Sequence, residues 1–276
     1  MSRSTPALLI LISCIGLSSC NVGISPVETY PTVLAPNQET LNELRVSSVT
    51  FPNLIPQDKL QAGANERSEE LVQEFQWRGV AVHQEGSTHP AYQRLMRLFN
   101  KVAAVTHLAN TNFDVILIDD STFNAYTLGG LEVIFHRRIV DSLTDDELAF
   151  IIAHEIAHIA LNHVGQTISR DITNLDKPGE VRRYGDFFSI SNEQDADRLA
   201  LVYVNLAGFD GLAAGDIFDQ ISKDKQTDKY DLFEATHPQP KDRADKLRQL
   251  ARYFESQAGA YPKHNLLSCN PLYCNK

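Results

Sequence analysis

Two histidines one helical turn apart carry the clearest chemistry in the sequence. His154 and His158 stand at positions i and i+4, about 40° apart around an α-helix, so both imidazoles face one side and can bind a single metal ion. Glu155 lies about 100° from His154, within reach of a metal-bound water but poorly placed as a ligand. The pattern predicts a metal site with a glutamate beside a metal-bound water. The alternative is a helix whose two histidines are satisfied by other side chains.

A strong helix is predicted to position this motif. Thr144 and Glu147 form a capping box at its start, and the helix is expected to run from Thr144 to about His163. The metzincin arrangement, with a third histidine ligand shortly after the first two, would need glycine at 161 and histidine at 164, but the sequence has Leu161 and Val164, which excludes that class. His163 is interpreted as a helix-end histidine.

A catalytic zinc requires a third protein ligand and an open position. The best candidate is Glu193, which lies in the first turn of a later predicted helix that begins at Ser191 and Asn192. Asp197, one turn further on, can accept a hydrogen bond from the back nitrogen of a ligand histidine. The alternative is a solvated acidic first turn, which helix N-termini favour.

The remaining elements predict an α+β fold that is mostly helical, with one small sheet beside the motif helix. Further helices are expected at about 66–77, from Pro90 onwards, and at about 192–206, 212–223 and 239–256, with strands at 113–118 and 132–135. Residues 165–190 form a polar segment with Gly and Pro, which predicts a flexible flap or a helical hairpin.

Four segments together resemble one known family over about residues 90–255. They are H-E-I-A-H at 154–158, N-E-Q-D-A-D at 192–197, Thr236-His237-Pro238 with Arg243, and Asn124 to Gly130, which is similar to the family's Asn-Ala-Phe-x-x-Gly-Gly with tyrosine for phenylalanine. This set resembles the HtpX-like and CaaX-prenyl-protease-like zinc metallopeptidases, which are gluzincins with a zincin-like domain. The chain lacks the family's transmembrane helices and so resembles its soluble bacterial lipoprotein branch.

The resemblance implies an endopeptidase that holds one Zn²⁺ per chain and cleaves extended or unfolded polypeptides. The implied ligands are His154, His158 and Glu193, and the implied catalytic residues are Glu155 and His237, with His237 acting on the oxyanion. Asn192, Asp197 and Arg243 are expected around the ligands. Two alternatives stay open: His237 as a turn residue or a fourth metal ligand, and Arg243 as a purely structural residue. Leu131, Glu132, Val133, Ile134 and Phe135 match the family's edge strand, on which a substrate would pair.

The amino-terminal segment predicts export. An apolar run from Leu8 to Leu17 follows Arg3 and is too short to span a bilayer. It ends in Leu17-Ser18-Ser19-Cys20, which resembles a bacterial lipobox. Residues 1–19 are therefore predicted to be a signal peptide, and Cys20 is predicted to carry a lipid. Asn21 favours sorting to the outer membrane by the same resemblance. The alternative is an ordinary secretory signal with an incidental cysteine.

The expected order along the chain is a lipid-anchored tether at 20–56, the metallopeptidase domain at 57–260 and a tail at 261–276. Cys269 and Cys274 of the tail can pair in an oxidising compartment, and a metal pair is the alternative.

The charge of the chain excludes one class of partner. The 276 residues carry a net charge of −10 without a cluster of Lys and Arg, which argues against nucleic-acid binding. The sequence thus predicts a periplasmic, outer-membrane-anchored zinc endopeptidase that degrades misfolded envelope proteins. The alternative is a metal-stabilised chaperone or scaffolding lipoprotein with little or no proteolysis.

Overall fold

A computed structural model describes residues 54–109, 111–173, 188–223, 233, 236–237 and 242–257. The predicted signal peptide, Cys20, most of the tether and the cysteines of the tail lie outside these residues, as does most of the 165–190 segment.

Eight helices and four strands make up this described part of the chain. In order they are α1 (Gln57–Trp77), β1 (Val82–His83), α2 (Pro90–Ala103), β2 (Asp114–Ile118), β3 (Ala125–Thr127), β4 (Glu132–His136), α3 (Arg137–Ser142), α4 (Asp145–Ala160), α5 (His163–Thr173), α6 (Ile190–Ala207), α7 (Ala213–Lys223) and α8 (Arg243–Gln257). The predicted fold class, mostly helical with a small sheet, is confirmed.

The four strands form one sheet in the order β1-β2-β4-β3. β2 and β4 are parallel, whereas β1 and β3 pair with them antiparallel at the two edges. The prediction that residues 131–135 form an edge strand is therefore wrong. β4 pairs on both sides and all five of its residues are buried, so its backbone has no free side for a further strand. The edge on that side of the sheet belongs to β3.

Helix α4, which carries the histidine motif, lies at the centre of the fold. Every residue from Glu147 to Ala160 is buried, as expected of a helix that packs on all sides. The predicted capping box is present: Thr144 Oγ1 accepts from the Glu147 amide at 3.3 Å, and the Glu147 carboxylate accepts from the Thr144 amide at 2.8 Å. The helix ends earlier than predicted, because Asn162 adopts a left-handed backbone with φ 53° that an α-helix cannot contain.

Several local elements differ from the sequence prediction. α1 begins at Gln57, directly after Pro56, rather than near residue 66. The strands β1 and β3 have two and three residues, too few for an alternating pattern to indicate them. α5 occupies the beginning of the segment that was predicted as a flap or a hairpin.

No single helix in the described ranges is both long and apolar enough to cross a membrane. One bent pair passes that length and composition test together, namely Asp145–Ala160 with His163–Ser169, at an angle of 47°.

Candidate metal centre

Three buried side chains from two helices converge on one point. The Nε2 atoms of His154 and His158, both on α4, lie 2.9 Å apart. Glu193 of α6 places Oε2 3.4 Å from His154 Nε2 and Oε1 3.3 Å from His158 Nε2. All three side chains are at most 3 % exposed. The two predicted histidines and the predicted glutamate are thus brought together.

The start of α6 fixes the position of Glu193. Ser189 caps the helix: its hydroxyl accepts from the Asn192 amide at 3.2 Å, and Asn192 Oδ1 accepts from the Ser189 amide at 3.1 Å. The helix therefore starts at Ile190, slightly before the predicted start. Asn192 also donates from Nδ2 to Gln166 Oε1 at 3.5 Å, so the residue supports the helix end that carries Glu193.

A buried ion pair contacts His154 on the Nδ1 side of its ring. Asp197, one turn after Glu193, places Oδ1 3.0 Å from His154 Nδ1. Arg243 of α8 donates two hydrogen bonds to Asp197, from Nε to Oδ2 at 2.8 Å and from Nη2 to Oδ1 at 2.7 Å. Its Nη1 lies 3.2 Å from Glu193 Oε2, and its guanidinium lies over the Phe218 ring at 4.2 Å. Arg243 therefore positions two carboxylates of the site at once.

His158 has a different support, which the sequence interpretation missed. Its Nδ1 lies 2.9 Å from Nδ1 of His163, and its ring stacks on Phe188 with centroids 3.9 Å apart. His163 was interpreted as a helix-end residue because it falls outside the register of α4. The sequence does contain an indication of this contact, because His163 follows His158 by only five residues. A histidine at that distance can contact the ring of His158 if the helix ends between them.

His237 lies against the same cluster and is fully buried. Its Nε2 lies 3.0 Å from the carbonyl oxygen of Ala125 in β3 and 3.7 Å from Glu155 Oε1. Its Nδ1 lies 3.3 Å from Glu193 Oε2. One ligand atom from each of His154, His158, Glu193 and His237 lies within 4.8 Å of the others. His237 is thus within reach both of a metal ion and of a group that reacts there.

Glu155 points into the same buried space. It is 0 % exposed, and neither of its carboxylate oxygens has a hydrogen-bond partner in the described part of the chain. Burial raises the pKa of this carboxyl above its usual value. A buried carboxyl without a hydrogen bond is costly for a fold to retain and is typical of a reactive site.

Burial and mutual contacts shift the pKa values of the three ligand side chains in different directions. Burial opposes a charge on His154, but its contacts with Asp197 and Glu193 outweigh this and raise its pKa to about 9. Burial, followed by the charge on His154, lowers the pKa of His158 to about 3. Burial alone would raise the pKa of Glu193, yet the neighbouring His237 and His154 hold it well below its usual range.

The two carboxylate oxygens of Glu193 also indicate whether the site fits a metal ion. Among the described residues, neither oxygen of Glu193 makes a hydrogen bond of good geometry, although nitrogens lie 3.2 to 3.4 Å away. Two imidazole nitrogens and one anionic carboxylate are a donor set that Zn²⁺ prefers. The residues present therefore fit a metal ion of this kind.

A cavity of about 380 Å³ opens beside His237 and along β3. One wall comes from α1 and the other from the β3 segment, and the apolar lining residues are Leu71, Phe75, Tyr126, Leu128 and Phe188. The cluster of metal-ligating side chains thus adjoins an accessible, largely apolar cleft.

Comparison with known proteins agrees with this site. Residues 70–175 match the sequence model described as "Peptidase family M48". This match includes His154, Glu155 and His158 and ends before Glu193, whose position in the site is supported by the geometry.

Several named relatives each match more than half of the chain. The chain is 28% identical to "Mitochondrial metalloendopeptidase OMA1" of Schizosaccharomyces pombe over 181 residues, 59% of this chain and 54% of the relative. It is 24% identical to "Putative beta-barrel assembly-enhancing protease" of Vibrio cholerae over 186 residues, 57% of this chain and 38% of the relative. It is 27% identical to the OMA1 metalloendopeptidase of Arabidopsis thaliana over 179 residues, 57% of this chain and 37% of the relative. The chain thus spans about half or less of the length of these relatives. These findings agree with the predicted resemblance: residues 70–175 are similar to peptidase family M48, and the relatives above are named as a metalloendopeptidase and as a protease.

Proposed function

We propose that this protein is a zinc-dependent endopeptidase with one catalytic Zn²⁺ held by His154, His158 and Glu193. The observation that carries the proposal is the convergence of these three buried side chains, with the unpaired carboxyl of Glu155 beside them. Three protein ligands leave the fourth position that a catalytic zinc requires.

The chain's own residues can supply the proton transfers of peptide hydrolysis. Zinc in this site would polarise the scissile carbonyl and lower the pKa of a water molecule. Glu155 would take the proton from that water and deliver it to the leaving amine, and its burial makes it a stronger base than an exposed glutamate. His237, fully buried beside Glu155, would donate a hydrogen bond to the oxygen of the carbonyl as negative charge develops there.

An extended polypeptide fits the edge of β3. The Asn124 carbonyl accepts from the His136 amide at 3.0 Å on the β4 side. Because backbone groups alternate along an antiparallel strand, Ala125 and Thr127 turn theirs towards the side of β3 that pairs with no strand among the described residues. The Ala125 carbonyl already accepts from His237 Nε2 there. A substrate strand added at this edge would pass His237 and place its side chains in the apolar cleft, which favours unfolded or misfolded segments over folded surfaces.

We further propose that the protein acts at the periplasmic face of the outer membrane, anchored through a lipid on Cys20, where misfolded envelope proteins would be its substrates. The lipobox-like Leu17-Ser18-Ser19-Cys20 supports the anchor. The bacterial relatives are named beta-barrel assembly-enhancing proteases, which supports work on envelope proteins.

One observation favours a second candidate function. His237 lies within the ligand group, and a fourth protein ligand would close the metal site, as structural zinc sites are closed. The protein would then be a metal-stabilised assembly factor or chaperone with little proteolysis.

The test compares zinc content and casein hydrolysis of the full chain with those of Glu155→Gln. We expect the variant to keep its zinc and to lose about 10²–10⁴-fold in turnover. The matched control is Glu70→Gln, an exposed change on α1 that should alter neither. Hydrolysis at the normal rate by Glu155→Gln would refute the mechanism.

His237→Ala separates the two candidate functions. Loss of an oxyanion donor should lower turnover about 10²–10³-fold, whereas removal of a closing ligand should raise it.

A further inference from the structure

A second group of metal-ligating side chains lies at strand β1, at the opposite end of the strand order from β3. His83 of β1, His89 just before α2 and Asp119 just after β2 each offer one ligand atom, and these atoms all lie within 4.8 Å of one another. We propose that these three residues, here called the β1 site, bind a second divalent ion of the Zn²⁺ type. This proposal does not rest on the proposed function, because the β1 site shares no residue with the catalytic cluster.

The pairing of β1 with β2 places two of the ligands on one face of the sheet. His83 lies opposite Leu117 in this antiparallel pair, and the Asp119 amide donates to the Ala81 carbonyl at 2.8 Å. Alternate residues of a strand share a face, so His83 and Asp119 are diagonal neighbours on the same side. Their nearest atoms, His83 Nε2 and Asp119 Oδ2, are 3.8 Å apart.

A tight turn brings in the third ligand. The Ser87 amide donates to the Gln84 carbonyl at 3.0 Å, and Gly86 supplies the left-handed residue with φ 86°. The chain then returns to His89, whose ring stacks on that of His83 with centroids 4.3 Å apart and planes 17° apart. Both imidazoles are therefore fixed in position by backbone elements.

The polar atoms of this site are left without protein partners. His83 Nε2 and His89 Nδ1 are buried and have no hydrogen-bond partner among the described residues. Such atoms cost free energy unless something binds them. The other nitrogen of His83, Nδ1, lies 3.2 Å from Ser87 Oγ. A hydrogen bond donated by Nδ1 to that hydroxyl would leave the lone pair on Nε2 available to a metal.

The carboxylate is oriented in the same way. Arg137 Nη1 donates to Asp119 Oδ1 at 2.8 Å, which leaves Oδ2 turned towards His83. The unpaired nitrogens of His83 and His89 and this free oxygen therefore point to one common ligand. A cation satisfies all three, whereas an anion would be repelled by Asp119.

The donor types select the class of cation. Two imidazoles and one carboxylate suit Zn²⁺ and its transition-metal neighbours, whereas Mg²⁺ and Ca²⁺ prefer oxygen ligands alone. Ligand atoms of a tetrahedral zinc lie about 3.3 Å apart for bond lengths of about 2.0 Å. Small side-chain rotations would therefore bring the three atoms into place. A bound ion would fasten the turn and the start of α2 to the sheet.

The experiment measures zinc stoichiometry on the full chain. Metal-depleted protein is saturated with Zn²⁺, dialysed, and analysed by mass spectrometry of the metal. We expect two zinc ions per wild-type chain, and one in His89→Gln and in Asp119→Asn. The matched control is Asp141→Asn, because Asp141 binds the same Arg137 at 2.9 Å but lies outside the β1 site. It should keep two ions.

A second measurement separates this site from the catalytic one and covers variants that fold poorly. In the background of Glu193→Gln, added Zn²⁺ should still raise the melting temperature, and the further change His89→Gln should abolish that rise. One zinc per wild-type chain, unaffected by His89→Gln and lost in Glu193→Gln, would overturn the proposal. Two ions that persist in both β1-site variants would overturn it as well.

Discussion

The contacts of Arg243 allow one perturbation to be worked out in detail. Arg243→Met keeps most of the side-chain length but removes the guanidinium that binds Asp197 through two hydrogen bonds and contacts Glu193. The guanidinium and both carboxylates are buried. Breaking a buried ion pair in this way costs about 3–5 kcal/mol, because an uncompensated charge stays behind.

We expect the loss of stability in Arg243→Met to depend on whether zinc is bound. With zinc bound, Glu193 remains neutralised and only Asp197 loses its partner, so we expect a loss near about 3 kcal/mol. After chelation both carboxylates lose the guanidinium without a metal ion to replace it, and the loss should approach about 5 kcal/mol. Arg243→Lys should fall between wild type and Arg243→Met, since lysine keeps the charge but cannot form the paired hydrogen bonds.

The assay is equilibrium unfolding in urea, followed by circular dichroism, with saturating zinc and with a chelator. The double variant Arg243→Met with Asp197→Asn should lose less stability than the sum of the two single changes, with a coupling of about 1–3 kcal/mol. A loss below about 1 kcal/mol for Arg243→Met, which is the value of an exposed ion pair, would refute the reasoning. Strict additivity of the two changes would refute it too.

Three other substitutions test separate features of the fold and site. His163→Ala should lower zinc affinity about 10–100-fold, measured by competition with a chromophoric chelator, because the support behind His158 is lost. Burial raises the pKa of Glu132, so the folded protein loses stability as the pH rises from the unfolded-state pKa through the folded-state pKa. Glu132→Gln should therefore raise the free energy of unfolding at pH 7 and change it less at pH 4, as urea unfolding at both values will show. Gly129→Ala should destabilise by more than about 1 kcal/mol in the same assay, since its φ is 100° and the new methyl would lie 2.6 Å from Val164 Cγ1.

Each of these has a result that contradicts it. Unchanged zinc affinity in His163→Ala would mean that Phe188 alone orients His158. An equal effect of Glu132→Gln at both pH values would mean that the Glu132 carboxyl does not contribute to the pH dependence of stability. Full recovery of Gly129→Ala by Val164→Ala would show that contact, and not the backbone angle, sets the cost.

The motif helix and its ligands were predictable because their signals are local. The capping box of Thr144 and Glu147 fixed the start of α4, and helical spacing placed His154 and His158 together. The same spacing put Glu193 and Asp197 on one face of α6, one towards the histidine Nε2 atoms and the other behind His154.

The features that the sequence left hidden depend on tertiary contacts. The sequence indicates a strand near residues 132–136 whether it lies at an edge or inside the sheet. Only the pairing of β3 with β4 shows that this strand is internal. A strand of three residues has no period to detect. Helical spacing could not place His163 beside His158, because the left-handed Asn162 ends α4 before it. Beyond that break, the 100° step per residue of α4 no longer gives the direction of a side chain.

The centre draws its parts from segments that follow one another late in the chain. α4 supplies two histidines, α6 supplies the acid, and His237 with Arg243 comes only afterwards. During synthesis, a nascent polypeptide that has emerged only as far as α4 displays a histidine pair without a carboxylate ligand or its arginine clamp. Any cleaving ability must therefore arise late, after α8 has docked, which protects the ribosome-bound chain from its own chemistry.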